Sequence, residues 1–452
     1  MSDATTLMPA HAGQYLASLL AGQPQLQLEA NQSAWLKALR AQAVERLGVL
    51  KQPTTRDEDW RFTDISLLSK MSFAPALSAS SLVVADVAHF FIQEATTRLV
   101  FVDGLYAPHL SNPGSNGSGV DSGVMVSCLT AAMATHNAAL EQHLGRHAAF
   151  NNEVFTAQNT AFLHDAAVLI VPRDVALEAP VHVLFIATQK DVVSTPRCLV
   201  LAEAGSAVTV IEDYVVLYQP RWQEEPHFTN AVTEIVLEEN AHVNHIRVQR
   251  EGSQAFHIAS CAVSLGRASN YQSVSVALGA RISRYNLNVL QTADGTTCAL
   301  DGLTLISGRQ LADTHTCMDH AHPHGTSRQL HKCIVGGSAH AVFNGKVMVH
   351  KGAQRTDAKQ SNRNLLLTGK AHIDTKPQLE IFASDVKCTH GATIGQLDNE
   401  EVFYLQSRGL TEAAARNLLT YAFGAEIIDR IPVASLKLQL EQTVLEQTTG
   451  LP

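Results

Sequence analysis

The spacing of apolar residues in the first third of the chain predicts both helices and short strands. After Ser33 the apolar side chains recur every three or four residues, which is typical of a helix with one buried face. The apolar positions of that helix are Leu36, Leu39, Ala43 and Leu47. Residues 98–106 predict two strands joined by a turn at Asp103-Gly104, and residues 128–150 predict an alanine-rich helix. We therefore expect a mixed, partly helical N-terminal domain, residues 1–160.

From Val168 the pattern changes to short runs of β-branched and apolar residues, which continue to about residue 400. These runs include Ala231–Leu237, Ala299–Ile306, Lys332–Val335, Asn364–Leu367 and Leu379–Phe382. Compact turns such as Gly337-Ser338-Ala339 and Gly369-Lys370-Ala371 lie between these runs. Glycine adopts a left-handed conformation at little cost, so each turn can redirect the chain sharply. We therefore expect a β domain, residues 161–400.

Three folds accommodate so many short strands: a sandwich, a propeller and a coiled solenoid. Hairpin turns of the Asn-Gly or Asp-Gly type are scarce here, which disfavours a sandwich. A propeller would repeat every ~40–50 residues, and the chain shows no such repeat. A parallel β-helix tolerates irregular repeats because each coil only has to stack on its neighbours. The strand pattern favours the β-helix and leaves the other two folds open.

Helical spacing returns at the C-terminus, which predicts a helical domain, residues 401–452. Thr411 is placed to cap a helix that Gly424 would end. The predicted apolar stripe of that helix is Ala415, Leu418, Leu419, Ala422 and Phe423. A second helix follows Pro432, with Val433, Leu436, Leu440 and Val444 on one side. Two such helices can cap a solenoid or dock a partner protein, and the pattern favours neither.

The composition is that of an ordinary globular protein, with 46% hydrophobic and 17% charged residues among 452. A net charge of −9 without a basic cluster argues against nucleic acid as a partner. The N-terminus has no basic region followed by an apolar run, so we do not expect secretion. Because no apolar stretch of about 18 residues is present, we do not expect a membrane span either. The 7 cysteines are scattered and include no Cys-x-x-Cys pair, which indicates reduced thiols and a cytoplasmic location.

Cys388 and His390 are the first candidates for chemistry. Residues at positions i and i+2 of an extended chain project from the same face, so a strand here would aim a thiol and an imidazole at one point. Thiolate and imidazole together suit iron, zinc or copper. The pair alone is weak evidence, because free cysteine is among the most buried residue types.

A histidine-rich segment between His315 and His331 is the second candidate. Its closely spaced members are His320, His322 and His324. A metal hydrolase or a cupin-like protein could use this spacing. A histidine-rich surface or coil stack fits better, because Pro323 interrupts a regular strand and only Asp313 and Asp319 supply carboxylates nearby. The chain also has no Gly-x-x-x-x-Gly-Lys-Ser/Thr phosphate loop, so we do not expect it to hydrolyse ATP itself.

Several motifs in a fixed order resemble those of one protein family. They are the runs Arg56–Asp64, Gln360–Gly369, Lys376–Thr393 and Phe403–Arg416. These motifs resemble those of the SufB/SufD family of iron–sulfur cluster assembly proteins, and the Cys-Thr-His-Gly-Ala-Thr sequence around Cys388 looks like that of SufD. The resemblance extends from about Ser33 to about Pro432. It implies a right-handed parallel β-helix between helical flanks, and a structural role for Trp60 and Arg61.

The resemblance also implies a function: a non-catalytic scaffold subunit that pairs with a SufB-like chain through the end of the β-helix. A transient iron–sulfur cluster would form at that interface, with Cys388 and His390 as ligands from this chain. ATP would enter only through a SufC-like ABC ATPase bound to the C-terminal helices. The expected docking residues are Phe403, Tyr404, Arg408, Gly409, Leu418, Leu419 and Phe423.

Three alternatives remain open from the sequence. The first is a β-helix enzyme that acts on polysaccharides, and the second is a metal enzyme that uses His320, His322 and His324. The third concerns assembly, because the isolated chain could form a homodimer in place of the heterocomplex.

Overall fold

The computed structural model describes residues 19, 33–76, 81–114, 123–217 and 225–448. The helices of the N-terminal region are α1 (Ala34–Val49), α2 (Ser66–Ser69), α3 (Val84–Val87), α4 (Leu129–His143) and α5 (Val154–Ala161). Its strands are β1 (Ala74–Pro75), β2 (Thr97–Val102), β3 (Leu105–Tyr106) and β4 (Met125–Cys128). The predicted face of α1 is buried, and the predicted strand pair is β2 and β3, joined through Asp103 and Gly104 at positive φ.

A long series of strands follows, as the sequence predicts. The strands are β5 (Ala167–Val171), β6 (Val181–Ala187), β7 (Val192–Ser194), β8 (Arg197–Ala202), β9 (Ala207–Val216), β10 (Phe228–Leu237), β11 (His242–Arg250), β12 (Phe256–Leu265), β13 (Asn270–Ala277), β14 (Ile282–Gln291), β15 (Thr297–Ile306), β16 (Leu311–His320), β17 (Thr326–Val335), β18 (His340–Val349), β19 (Asp357–Leu366), β20 (His372–Ile381) and β21 (Lys387–Gly395).

From β8 onward the chain alternates between two sheets, and each strand pairs in parallel with the strand one coil earlier. The first sheet has the order β20-β18-β16-β14-β12-β10-β8-β5-β4, and the second has the order β21-β19-β17-β15-β13-β11-β9-β6-β2-β3. Phe256 lies opposite Ile282, whereas His340 lies opposite His372, so one coil takes 26 residues and another takes 32. This parallel β-helix confirms the predicted fold, and its variable coil length explains why no fixed repeat is visible in the sequence.

The sequence pattern located only the apolar halves of the last strands. β19 and β20 begin with polar residues whose inward-facing members are hydrogen-bonded inside the solenoid. Asn364 donates to the Asn362 side chain over 2.6 Å, and Thr375 donates to the same oxygen over 2.7 Å. Because such contacts satisfy buried polar groups, the strands extend well before their apolar ends. β16 escaped prediction entirely, since polar residues occupy most of its positions.

The N-terminal region covers the outer face of the first sheet. Trp60 packs against Phe155 with ring centroids 5.5 Å apart, and the Arg284 guanidinium lies 3.9 Å from the Trp60 ring. Arg284 and Thr63 both donate to the Asp313 carboxylate, over 2.6 and 2.5 Å. Trp60 thus has the structural role that the resemblance implied, whereas Arg61 is exposed. The domain boundaries at residues 160 and 400 stay predictions.

Three helices follow the solenoid: α6 (Asn399–Ser407), α7 (Glu412–Ile428) and α8 (Ala434–Thr448). The backbone N–H of Ala414 donates to the Thr411 hydroxyl over 3.2 Å, which confirms the predicted cap. α7 and α8 cover the outer face of the second sheet, where Ile427 and Leu436 share a buried cluster with Leu303. In the described part of the chain, no helix is both long and apolar enough to cross a membrane.

Two details predicted for α7 are wrong. Gly424 does not end the helix, which continues to Ile428. A Cβ on Gly424 would lie 3.4 Å from the Ile334 side chain, which is ordinary van der Waals contact, so this buried position packs directly on the sheet. The buried face also differs from the predicted stripe, because Leu418 is exposed. The residues buried on α7 are Ala415, Thr420, Gly424, Ile427 and Ile428.

Candidate functional site

Cys388 and His390 lie in β21, the last strand of the second sheet. β21 pairs with β19, where Ala358 lies opposite Cys388 and Gln360 lies opposite His390. Ala358 and Gln360 are both buried, so they face the solenoid interior. Because parallel strands in register keep their side chains on matching faces, Cys388 and His390 project from the same face of β21. The i, i+2 spacing therefore places both side chains on one face of the strand, as the sequence predicts.

This site lies at the open end of the solenoid. Within the described residues, β21 is the terminal strand of its sheet, and every residue from Thr389 to Gly395 is exposed. Cys388 is half-buried and packs beside a small apolar cluster that includes Val349 and Ala358, while His390 is open to solvent. An exposed terminal strand offers free backbone groups to another chain.

The environment of Cys388 keeps its thiol protonated. Burial raises the pKa of Cys388, and a hydrogen bond from the backbone of Ala358 offsets the rise only in part. Because a metal binds the thiolate, binding at Cys388 has to release a proton. A metal that binds here must therefore compete with that proton.

Exposed apolar side chains surround the end of the solenoid. Phe382, which follows β20, is 63% exposed, and Ile394 of β21 is 50% exposed. Ile381 adds a third exposed apolar side chain at the end of β20. Soluble proteins seldom expose neighbouring apolar side chains without a binding partner, so this end has the character of an interface.

The residues predicted to dock a partner fall into two groups. Phe403 and Tyr404 on α6 are 71% and 56% exposed, and the Arg408 guanidinium lies 5.2 Å from the Tyr404 ring. Gly409 follows α6 with φ +98°, and Leu418 on α7 is exposed, so these residues form the exposed group.

The second group, Leu419 and Phe423, is only partly exposed. The Phe423 ring faces the solenoid, where the Lys332 ammonium lies 4.5 Å from its centroid.

The structure does not bring His320, His322 and His324 together on one strand face, so it gives no support to the alternative of a metal enzyme that uses these three histidines. β16 ends at His320, and His322 and His324 follow in the turn, where His324 has φ 60°. Both ring nitrogens of His320 already have partners, at 3.1 Å from Gln291 and 2.9 Å from Ser327. Burial lowers the pKa of His320 to about 4, so this histidine is a neutral core residue.

Comparison with known proteins identifies the family. A sequence model described as the SufBD protein N-terminal region matches residues 11–183. A second, described as SUF system FeS cluster assembly, SufBD core domain, matches residues 185–423. The chain belongs to the SufBD family. This confirms the resemblance and assigns the chain a role in iron–sulfur cluster assembly.

Similar proteins cover nearly the whole SufBD chain. An iron–sulfur cluster assembly SufBD family protein of Synechocystis is 42% identical over 450 residues, which are 98% of each chain. The iron–sulfur cluster assembly protein SufD of Escherichia coli is 32% identical over 403 residues, 88% of this chain and 90% of that one. SufD of Bacillus subtilis is 27% identical over 419 residues, 91% and 93% of the two chains. The similarity therefore includes the solenoid and its helical flanks.

Sequence reasoning missed one cluster in this SufBD protein. His340 of β18 lies directly opposite His372 of β20, and Asp374 follows two residues later. A search of the described histidine, cysteine and carboxylate side chains finds these three residues close enough together to hold a metal ion. A signal was present, because the turns Gly337-Ser338-Ala339 and Gly369-Lys370-Ala371 each lead directly into a histidine. Only the strand register shows that these histidines are neighbours.

Proposed function

We propose that this SufBD chain is a non-catalytic scaffold subunit of an iron–sulfur cluster assembly complex. It pairs with a SufB-like chain through β20 and β21, and a nascent cluster forms at that interface. The placement of Cys388 and His390 on one face of an exposed terminal strand carries this proposal. The exposed Phe382 and Ile394 give the pairing its apolar contacts.

The ligand set explains why a partner is required. One thiolate and one imidazole are half of the ligands that an iron–sulfur cluster usually takes, so the SufB-like chain supplies the others. Imidazole is a weaker donor to iron than thiolate, and this favours release of the finished cluster to an acceptor. The cluster is thus cargo of the complex and not a resident cofactor of this chain.

A SufC-like ATPase docks on α6 and the exposed side of α7 in this proposal. Phe403 and Tyr404 supply the exposed aromatic contacts, and Leu418 extends the surface. α7 packs on β15 and β17, so movement of the ATPase reaches the solenoid through Gly424 and its neighbours. Nucleotide acts on this chain only through that partner.

The proposal is tested by replacing His390 in the assembled complex. His390→Ala abolishes cluster formation because it removes one of the two ligands, while assembly of the complex persists because the side chain is exposed and outside the core. Thr389→Ala is the matched control, since Thr389 is exposed on the other face of β21. Cluster content is measured by absorption and by iron and sulfide analysis of the purified complex. Normal content in the His390 variant would contradict the assignment.

A further inference from the structure

His340, His372 and Asp374 form a compact group on the outer face of the first sheet. One carboxylate oxygen of Asp374 lies 2.8 Å from Nε2 of His340 and 3.2 Å from Nε2 of His372. The two imidazole centroids are 4.9 Å apart. All three potential ligand atoms lie within 4.8 Å of one another. Their placement follows from the parallel register, which sets His340 opposite His372, and from the two-residue period that puts Asp374 on the same face.

These separations are close to those of ligands that share a metal ion. With metal–ligand bonds of about 2.1 Å, neighbouring ligands are about 3.0 Å apart in an octahedron and about 3.4 Å apart in a tetrahedron. The two nitrogen–oxygen distances of 2.8 and 3.2 Å approach this range before any adjustment of the side chains. A metal ion would replace the hydrogen bond between His340 and Asp374 and the close contact of His372 with the same carboxylate oxygen.

The surroundings leave Asp374 available as a ligand. Lys376, the next outward-facing residue of β20, donates to Glu58 over 2.7 Å and is therefore engaged elsewhere. Val342 lies opposite Asp374 and is buried, and Leu311 of β16 lies on the other side of His340. Apolar neighbours lower the local dielectric and strengthen the attraction between a carboxylate and a cation. His372 remains open to solvent, which provides a route of entry.

We propose that His340, His372 and Asp374 bind one divalent transition-metal ion of the first row. Two imidazoles and one carboxylate suit Zn²⁺, Fe²⁺ or Ni²⁺, whereas Ca²⁺ and Mg²⁺ require mostly oxygen ligands. The three protein ligands occupy one side of the ion and leave its other positions to water. This site lies in the other sheet from Cys388 and His390, and it does not depend on the proposed function.

The test is Zn²⁺ binding by the full-length chain without a histidine tag, in a Cys388→Ser background that removes the thiol of the other site. Competition with a chromophoric chelator is expected to show one equivalent of bound Zn²⁺. His372→Ala and Asp374→Asn are each expected to weaken binding at least about tenfold, because each removes a direct ligand. Asp374→Asn keeps the size of the side chain, and thermal unfolding of each variant verifies that the solenoid is intact.

His350→Ala is the matched control. His350 follows β18 and pairs with Asp319 over 2.7 Å, so it is also a surface histidine–aspartate pair on this sheet, but it belongs to no three-residue group among the residues that the structure describes. Its replacement is expected to leave Zn²⁺ affinity unchanged. Absence of Zn²⁺ binding in the Cys388→Ser chain, or equal affinity in the His372, Asp374 and parent chains, would overturn the proposal. Equal weakening by His350→Ala would also overturn it.

Discussion

Cys388 is held by its neighbours in a state that resists premature reaction. Burial among Val349, Ala353 and Ala358 raises the pKa of its thiol, so the thiolate fraction at neutral pH is lower than that of a free cysteine. The thiolate is the form that binds metals and reacts with oxidants. In the proposed complex, a SufB-like partner that completes the site would therefore convert a protonated, unreactive thiol into a metal ligand.

The residue-scale prediction concerns the pH dependence of Cys388. A raised pKa means that the reactive thiolate appears only as the pH increases, so alkylation by iodoacetamide is expected to rise with a midpoint above about 8.5, the pKa of a free cysteine. Mass spectrometry of the labelled peptide measures the rate at each pH. Cys261 and Cys298 serve as internal controls, because both are buried and should stay unlabelled in the folded chain. A midpoint below the free value would contradict this description of the site.

At the scale of single elements, the pattern of the sequence predicts the solenoid but not the limits of its strands. The run Leu379–Phe382 is visible in the sequence because three of its four residues are apolar, whereas β20 starts at His372. Near the start of β20, Thr375 donates to Asn362 of β19 and Asp374 pairs with His340 of β18, and a local pattern cannot reveal such contacts. Gly424 does not end its helix, although glycine commonly follows the end of a helix, because it lies inside α7 on the face that packs against the sheet.

The positions of the candidate ligands could be predicted to different degrees. The i, i+2 spacing of Cys388 and His390 is local, so an extended chain was enough to place both on one face. His340 and His372 are 32 residues apart, and their proximity depends on the length of one particular coil. For His320, His322 and His324 the local spacing is misleading. His320 faces the interior at the end of β16, and the turn that follows carries His322 and His324 away from it.

The element-scale prediction separates the two proposed partner surfaces. Replacing Phe403 and Tyr404 by alanine removes the exposed aromatic contacts of α6 without touching β21. We expect the purified complex to lose at least about nine tenths of its SufC-like ATPase, in line with the 2 kcal/mol or more that central aromatic contacts contribute. The SufB-like chain is expected to remain bound.

Leu438→Ala is the control for that experiment. Leu438 on α8 is 66% exposed, comparable with Phe403, but lies outside the proposed docking segment. Subunit ratios in the complexes are measured by quantitative gel densitometry after affinity purification through the SufB-like chain. Retention of the ATPase in the double variant, or loss of the SufB-like chain from it, would disagree with this assignment.

At the scale of the whole molecule, the two outer faces of the solenoid are covered by other parts of the chain, whereas one end is exposed. The N-terminal region covers the outer face of the first sheet through Trp60 and Arg284, and α7 and α8 cover that of the second. The end formed by β20 and β21 stays exposed, with its apolar side chains and the candidate ligands together. Such an arrangement fits a protein that is completed by another chain.

The central claim is that His390 binds the cluster at this exposed end. Pulsed electron paramagnetic resonance of the reduced cluster, in a complex whose SufD-like chain alone carries ¹⁵N-labelled histidine, tests it most directly. A strongly coupled imidazole nitrogen is expected in the parent complex and in Thr389→Ala. A cluster without such a coupling in the parent complex would contradict the account.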